Sequence, residues 1–364
     1  MVRERTPGIS TAAAGSHQPP EDATGPTLVA REEFWRDRRV FVTGASGFLG
    51  KWIVRELNAR GASVVRLLRD GTNDGGRGAV VLGCLEDFDC LARALRDNRI
   101  ETVLHLGAQP IVGTAFRDPL GTFEANIRGT WNILEACRQT STVKRLVIAS
   151  SDRAYGAVKT LPYDESMPLA GRHPYDASKI CADILGQTYC TTYGLPVTMT
   201  RSANLYGGGD LNFNRIVPGV IQSVLKGERP ILRSDGTIVR DYIYIRDVVG
   251  AYLLLAEAMD EPRFWGRAYN FSVEAPLSVL GITRKILEVM GRPDLEPVIL
   301  GQAQSETSEL YLSAARARRE LGWRHAYSLD EGLAETVAWY RLREGIAAVG
   351  AGPRQEQRHA ETVA

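Results

Sequence analysis

The sequence predicts an α/β fold in which a doubly wound parallel sheet carries a second, smaller α/β domain. Three observations predict it. Short β-branched runs alternate with stretches of helical periodicity from Arg39 to Ala149. The first run, Arg39-Val40-Phe41-Val42-Thr43, breaks into Gly44, Gly47 and Gly50 and continues as an amphipathic helix. From about Tyr206 onward the rhythm gives way to shorter strands and irregular loops, as expected of a domain folded over the strand ends. The boundaries drawn from these changes are a sheet domain over 31–205, with a return segment at about 243–272, and a second domain over 206–345. Residues 1–30 and 346–364, rich in small residues, proline and charge, read as disordered tails.

The glycine-rich turn organises the rest. Its spacing, G-x-x-G-x-x-G, is one residue longer between the first two glycines than the usual dinucleotide fingerprint. The first glycine permits the tight turn, the second lets backbone N–H groups approach a pyrophosphate, and the third lets helix pack on strand. With Ser46, Phe48 and Leu49 it places those N–H groups at a helix N-terminus, where the dipole favours an anion. Before it, Phe34 and Trp35 read as a packing lead-in. After it, Trp52, Ile53, Val54 and Leu57 recur at helical spacing and Gly61 is placed as the stop.

Ser63 to Leu68 is a second strand, which completes a Rossmann-type start. An acid about 20 positions past the glycines serves the ribose of NAD, and an arginine there accommodates the phosphate of NADP. The chain offers both, as Arg69 and Asp70. The count puts Leu68 in the acidic slot with Arg69 next, which favours NADP; a small shift puts Asp70 in the NAD role. Both cofactors stay open.

A glycine-rich loop over Asn73 to Gly78 leads to a third strand, Ala79 to Leu82, and a helix from about Phe88 to Arg96. Thr102 to Leu106 is the fourth strand. Its exit, Leu106-Gly107-Ala108-Gln109, is small enough for backbone to lie against a cofactor's ribose and nicotinamide. His105, inside this apolar strand, reads as a satisfied core histidine. A long amphipathic helix through Asn126, Thr130, Asn132, Leu134 and Ala136 then leads to the fifth strand, Arg145 to Ala149.

Ser150-Ser151-Asp152-Arg153 follows that strand, and Tyr175-Asp176-Ala177-Ser178-Lys179 follows after a proline-containing loop. In a helix, Tyr175 and Lys179 share a face, and a nearby ammonium lowers a phenol's pKa. Such a tyrosine takes a proton from a sugar hydroxyl while hydride leaves the same carbon for a nicotinamide, with Ser151 bonded to the same oxygen.

Here the chain resembles the extended short-chain dehydrogenase/reductases that act on nucleotide sugars, over about residues 34–342. The matching segments are the glycine loop, H-L-G-A-Q at His105, A-N-I-R-G-T at Asn126, the Ser151 and Tyr175–Lys179 segments, R-S-A-N-L-Y-G at Arg201, R-I-V-P at Arg215, R-D-Y at Arg240 and L-G-W at Leu321. The resemblance implies a tightly bound, regenerated NAD or NADP, a nucleotide-diphosphate sugar substrate, and a homodimer built on helices at about Phe123 to Cys137 and Asp176 to Tyr193. It implies an aspartate for the adenine amine where Cys84 stands, a contact left here to Glu86 or Asp87. It also implies that Asp152 protonates a departing C6 hydroxyl, as in dehydratases. The usual glutamate base that follows is replaced by Arg153. A basic residue there, with Gly207-Gly208-Gly209-Asp210, resembles the CDP-glucose 4,6-dehydratase branch, where a lysine occupies the place. Arginine's pKa is too high for a general base, but it can stabilise an enolate; the C5 base is then Asp152 or Tyr175. A 4-epimerase, which eliminates no water, is the alternative. Asn204 and Arg215 would hold the sugar diphosphate by family position, and Arg240 would clamp it with paired donors. The plain alternative for each arginine is a surface salt bridge, with Asp241 the partner for Arg240.

Composition agrees. With 44 basic and 43 acidic residues there is no bulk charge to attract nucleic acid or a membrane surface. No apolar run approaches the roughly 18 residues of a membrane span, and the N-terminal stretch lacks a signal-peptide core. The five cysteines form no C-x-x-C pair and read as reduced thiols of a cytoplasmic protein. Val248 to Ala258 reads as a helix returning to the sheet domain; Tyr311 to Trp323 and Leu329 to Tyr340 read as terminal packing helices.

Overall fold

The computed structural model describes residues 32–71, 76–157, 160–302 and 307–345. The two tails, and residues 73–75 of the loop expected over Asn73 to Gly78, lie outside these residues. The chain runs β1 (Arg39–Thr43), α1 (Phe48–Ala59), β2 (Ser63–Leu68), β3 (Ala79–Leu82), α2 (Phe88–Asp97), β4 (Thr102–His105), α3 (Val112–Arg117), α4 (Pro119–Phe123), α5 (Gly129–Arg138) and β5 (Arg145–Ala149). It continues through α6 (Pro174–Tyr193), β6 (Val197–Ser202), β7 (Asn204–Tyr206), α7 (Ile216–Leu225), β8 (Ile231–Leu232), β9 (Val239–Arg240), β10 (Tyr242–Tyr244), α8 (Ile245–Ala258) and β11 (Ala268–Phe271). The helices α9 (Val279–Val289), α10 (Ala315–Leu321) and α11 (Leu329–Arg343) close it.

Seven strands form one parallel sheet in the order β11-β6-β5-β4-β1-β2-β3. Strand β1 pairs with β2 on one side (Val40 with Val64) and with β4 on the other (Val40 with Thr102). The chain therefore winds both ways from β1. The strand order reverses between β1 and β4, and the carboxyl ends of the strands at such a switch point are where sheets of this kind bind ligands. Val40, Phe41, Val42 and Thr43 are all buried because helices cover both faces, which is why the strand reads as a continuous run and not as an alternation.

One core layer packs α1, α8 and α10 against the sheet through Ile53, Leu57, Leu253 and Leu321. The other packs α2, α5 and α6 through Leu91, Leu95, Ile133 and Leu134. Trp35 is wholly buried and donates from Nε1 to Glu257 Oε1 on α8 at 2.7 Å, so the lead-in is tied to the returning helix. A third core, built from Val220, Ile221, Ile286, Leu333 and Val337, holds α7, α9 and α11 together beyond the strand ends.

Two elements differ from the sequence expectation. The long helix through Asn126 is interrupted by a π-helical turn over Glu124–Arg128. The helix expected from Tyr311 begins only at Ala315, because Leu312 forms a parallel bridge with Tyr163 and is buried with Tyr155 and Leu310. Among the described residues, no helix is long and apolar enough to cross a membrane.

Candidate active site

The glycine turn is built for close approach. Gly44 has φ +68°, and a Cβ on it would lie 2.7 Å from the Gly107 nitrogen, so the loops leaving β1 and β4 touch backbone to backbone. A Cβ on Gly50 would lie 2.0 Å from the Gly44 carbonyl oxygen, so the first turn of α1 rests on the loop itself. Gly47 caps α1 in extended conformation and supplies no side chain to it. The first-turn N–H groups are thus left for an external acceptor, which fits a pyrophosphate. Arg69 and Asp70 are both exposed just past β2. Asp87 spends its carboxylate capping α2, accepting from the Cys90 nitrogen at 2.9 Å.

The loop after β4 is held by side chains. Asn126 Oδ1 accepts from the Gln109 backbone nitrogen at 2.6 Å, and Asn126 Nδ2 donates to the Gln109 carbonyl at 3.1 Å and to Ser178 Oγ at 2.9 Å. Ser178 Oγ donates to the Tyr175 carbonyl at 2.7 Å. The Gln109 amide bonds the Ile111 carbonyl at 3.0 Å and Thr122 at 3.2 Å, so its side chain shapes the loop. The π-turn that carries Asn126 therefore links the loop after β4 to the helix of Tyr175. Such turns recur at functional sites, and nothing in local periodicity announces this one.

His105 is buried with both ring nitrogens engaged, Nδ1 with Thr43 Oγ1 at 2.8 Å and Nε2 with Thr130 Oγ1 at 3.2 Å. Thr130 gives its proton to the Asn126 carbonyl, so Nε2 is the donating nitrogen and Nδ1 accepts from Thr43. Burial, and secondarily the charge of Lys179, depress the imidazole to about 3. It is a neutral core histidine.

Ser151, Asp152, Tyr175 and Lys179 are all buried at the carboxyl ends of the central strands. Ser151 ends β5's exit and opens a short 3₁₀ helix over Asp152–Tyr155. Its Oγ donates to Asp152 Oδ1 at 3.0 Å. Burial raises the Asp152 carboxyl to about 6, against the pull of Arg153, the Ser151 hydroxyl and Arg240. Tyr175 stands in the first turn of α6, Lys179 one turn on. Lys179 Nζ donates to the Ala149 carbonyl at 2.8 Å and lies 6.0 Å from the Tyr175 ring centre; burial lowers its ammonium to about 8. The expected lowering of the Tyr175 phenol by Lys179 is not what the structure gives. Burial raises the phenol, and the groups that oppose this are Ser151, Arg153 and Arg215, because Lys179 is turned to the end of β5.

Arg153 Nε donates to Asp176 Oδ1 at 2.8 Å. Sequence reasoning missed this partner, whose one visible signal is an acid directly after Tyr175 in a buried helical turn. Arg240 is buried and donates to the Val239 carbonyl at 2.7 Å. Asp241 does not face it: its carboxylate accepts from Ser272 Oγ and the Glu274 nitrogen. Arg215 caps α7 and pairs with the buried Asp210 at 3.0 Å, a second partner the spacing left unread. Asn204 is exposed and donates to the Asp241 carbonyl at 3.3 Å.

Comparison with known proteins bears on the fold and the family. The profile of the NAD dependent epimerase/dehydratase family matches residues 40–271. The CDP-glucose 4,6-dehydratase of Salmonella typhimurium is 27% identical over 333 residues, covering 85% of this chain and 92% of the relative. The dTDP-glucose 4,6-dehydratase of Streptomyces venezuelae, solved with NAD bound, superposes with TM-score 0.75 at 29% identity, covering 84% of this chain and 98% of that one. The UDP-glucose 4-epimerase of Thermotoga maritima, solved with UDP-glucose, superposes with TM-score 0.78 at 29% identity, covering 84% and 99%. The family is NAD dependent, and its members act on nucleotide sugars by dehydration or epimerisation. With the glycine cradle and the Ser151–Tyr175–Lys179 group in place, this chain belongs to the NAD dependent epimerase/dehydratase family.

Proposed function

We propose that the chain is a nucleotide-sugar 4,6-dehydratase of the CDP-glucose or GDP-mannose type, working as a homodimer. The observation that carries the reading is Asp152: a buried carboxyl beside Ser151 that keeps its proton to about pH 6. An epimerase needs no such acid. Gly44 to Gly50 would hold the cofactor pyrophosphate, and Leu106 to Gln109 would line its ribose and nicotinamide. The chemistry that NAD supplies when bound is a reversible hydride acceptor, used at C4 and again at C6.

Tyr175, with Ser151 beside it, takes the proton of the C4 hydroxyl as the sugar is oxidised, acting in its phenolate form, which the Ser151 hydroxyl and the charges of Arg153 and Arg215 favour against burial. Asp152 then protonates the C6 hydroxyl so that it leaves as water. Arg153 stays cationic and stabilises the negative charge that develops when the C5 proton is lost. That proton goes to Asp152 after it has given up its own, or to Tyr175 once it has passed on the proton taken from C4, and it returns to C5 as hydride returns to C6. Arg240 and Arg215 supply guanidiniums for the diphosphate, and residues 206–345 form the substrate-binding part.

Purified chain with NAD is incubated with CDP-glucose, GDP-mannose, dTDP-glucose and UDP-glucose, and products are read by mass spectrometry. Loss of one water from one of the sugars is the expected result and identifies the nucleotide. An unchanged mass with inverted sugar stereochemistry by NMR moves the assignment to a 4-epimerase, the reading that Arg153 favours.

A further inference from the structure

Arg153 and Asp152 are chain neighbours on one short 3₁₀ helix, a cation beside the acid that must hold a proton. Among the described residues, Arg153 pairs with Asp176 and not with Asp152. Both members of the pair are largely shielded, with side-chain exposures of 21% for Arg153 and 5% for Asp176. Asp176 sits in the first turn of α6 directly after Tyr175 and draws the guanidinium across to that helix.

We propose that Asp176 is a positioning residue that holds Arg153 off Asp152, so that Asp152 keeps the proton it delivers to the departing hydroxyl. The use of that proton rests on the dehydratase reading; the positioning does not. A carboxylate paired with arginine loses about 1–3 pH units from its midpoint. A buried cation robbed of its partner is left uncompensated. Without Asp176, the acid beside it is Asp152, on which Arg153 already pulls through space without pairing with it. The groups facing Asp152 are Ser151 and Arg153 from its own helix, Tyr175 from α6 and Arg240 from β9, so Arg153 is the cation whose position Asp176 decides. Burial alone would lower the Arg153 guanidinium, but Asp176, then Asp152, more than restores it, so it remains charged.

The test uses the full chain with NAD, labelled with ¹³C in its aspartate carboxyls, with the Asp152 signal assigned by its loss in Asp152→Asn. The Asp152 midpoint is titrated in the wild type, in Asp176→Asn and in the Arg153→Met/Asp176→Asn double variant. The expected result is a midpoint lower by about 1 pH unit or more in Asp176→Asn, restored to within about half a unit in the double variant. An unmoved midpoint in Asp176→Asn, or a double variant that matches the single one, overturns the proposal. Should Asp176→Asn fail to fold, the double variant decides alone: a midpoint raised by about 1 unit or more means that Arg153 already serves Asp152, and the proposal fails. The water-loss assay on the same wild-type sample tests the dehydratase reading separately.

Discussion

Asp152 sets the expected pH dependence of the site. A general acid works only while protonated, so the rate of water loss should hold below about pH 6 and fall roughly tenfold per unit above it. A profile flat to pH 8 would remove Asp152 from that role. The same raised value costs stability. A carboxyl that binds its proton more tightly folded than unfolded stabilises the fold below its unfolded midpoint and loses that contribution as pH rises through about 6. Asp152→Asn should therefore raise the unfolding free energy at pH 7.5 by on the order of 1–3 kcal/mol, a gain that vanishes toward pH 4 in urea melts. Tyr175→Phe should lower turnover by ~10²–10⁴ and leave the NAD titration unchanged; retained turnover would sink the assigned base.

At the scale of elements, the turn between β1 and α1 leaves no room for a side chain. Gly50→Ala puts a methyl against the Gly44 carbonyl and should weaken NAD binding about tenfold or more, measured by calorimetry, at a stability cost of roughly 1–3 kcal/mol. The Thr43–His105–Thr130–Asn126 chain ties β1 and β4 to the π-turn. Since His105 is neutral when folded and takes a proton when unfolded, its contribution is complete above about pH 6.5 and is lost as pH falls toward 3. His105→Leu should cost ~1–3 kcal/mol at pH 8 and flatten the acid dependence between pH 6.5 and 4, as denaturation at pH 8 and pH 5 would show. The strand, turn and helix from Arg39 to Ala59 were legible because their signal is local. The late start of α10 was not, because Tyr163 lies far from Leu312 in the chain.

At the scale of the molecule, contacts across the strand ends set the spacing of the two parts. Trp52 on α1 donates from Nε1 to the Gly208 carbonyl at 2.8 Å, and Trp339 on α11 packs where a Gly208 side chain would stand. Two residues on, Asp210 accepts from the Tyr340 hydroxyl through its carbonyl and holds Arg215 through its carboxylate. Trp131 on α5 and Ile184 and Tyr193 on α6, the helices of the proposed homodimer, expose 43%, 53% and 57% of their surface. Trp131→Glu with Ile184→Glu should convert a dimer to monomer in sedimentation velocity; a wild type already monomeric at micromolar concentration would remove that reading.

The sequence by itself determined the doubly wound sheet, the glycine turn and the segments that carry Ser151, Tyr175 and Lys179, because strand and helix periods and glycine spacings are written within a few residues. Only the tertiary structure decided which charges meet. Arg153 finds Asp176, Arg215 finds Asp210, and Lys179 turns to the Ala149 carbonyl, while Asp241, next to Arg240 in the chain, faces Ser272. Neighbours in sequence offer several partners of equal merit. Burial and the packing of α6 against β5 select one, and burial is also what raises Asp152 and Tyr175 against their nearby cations.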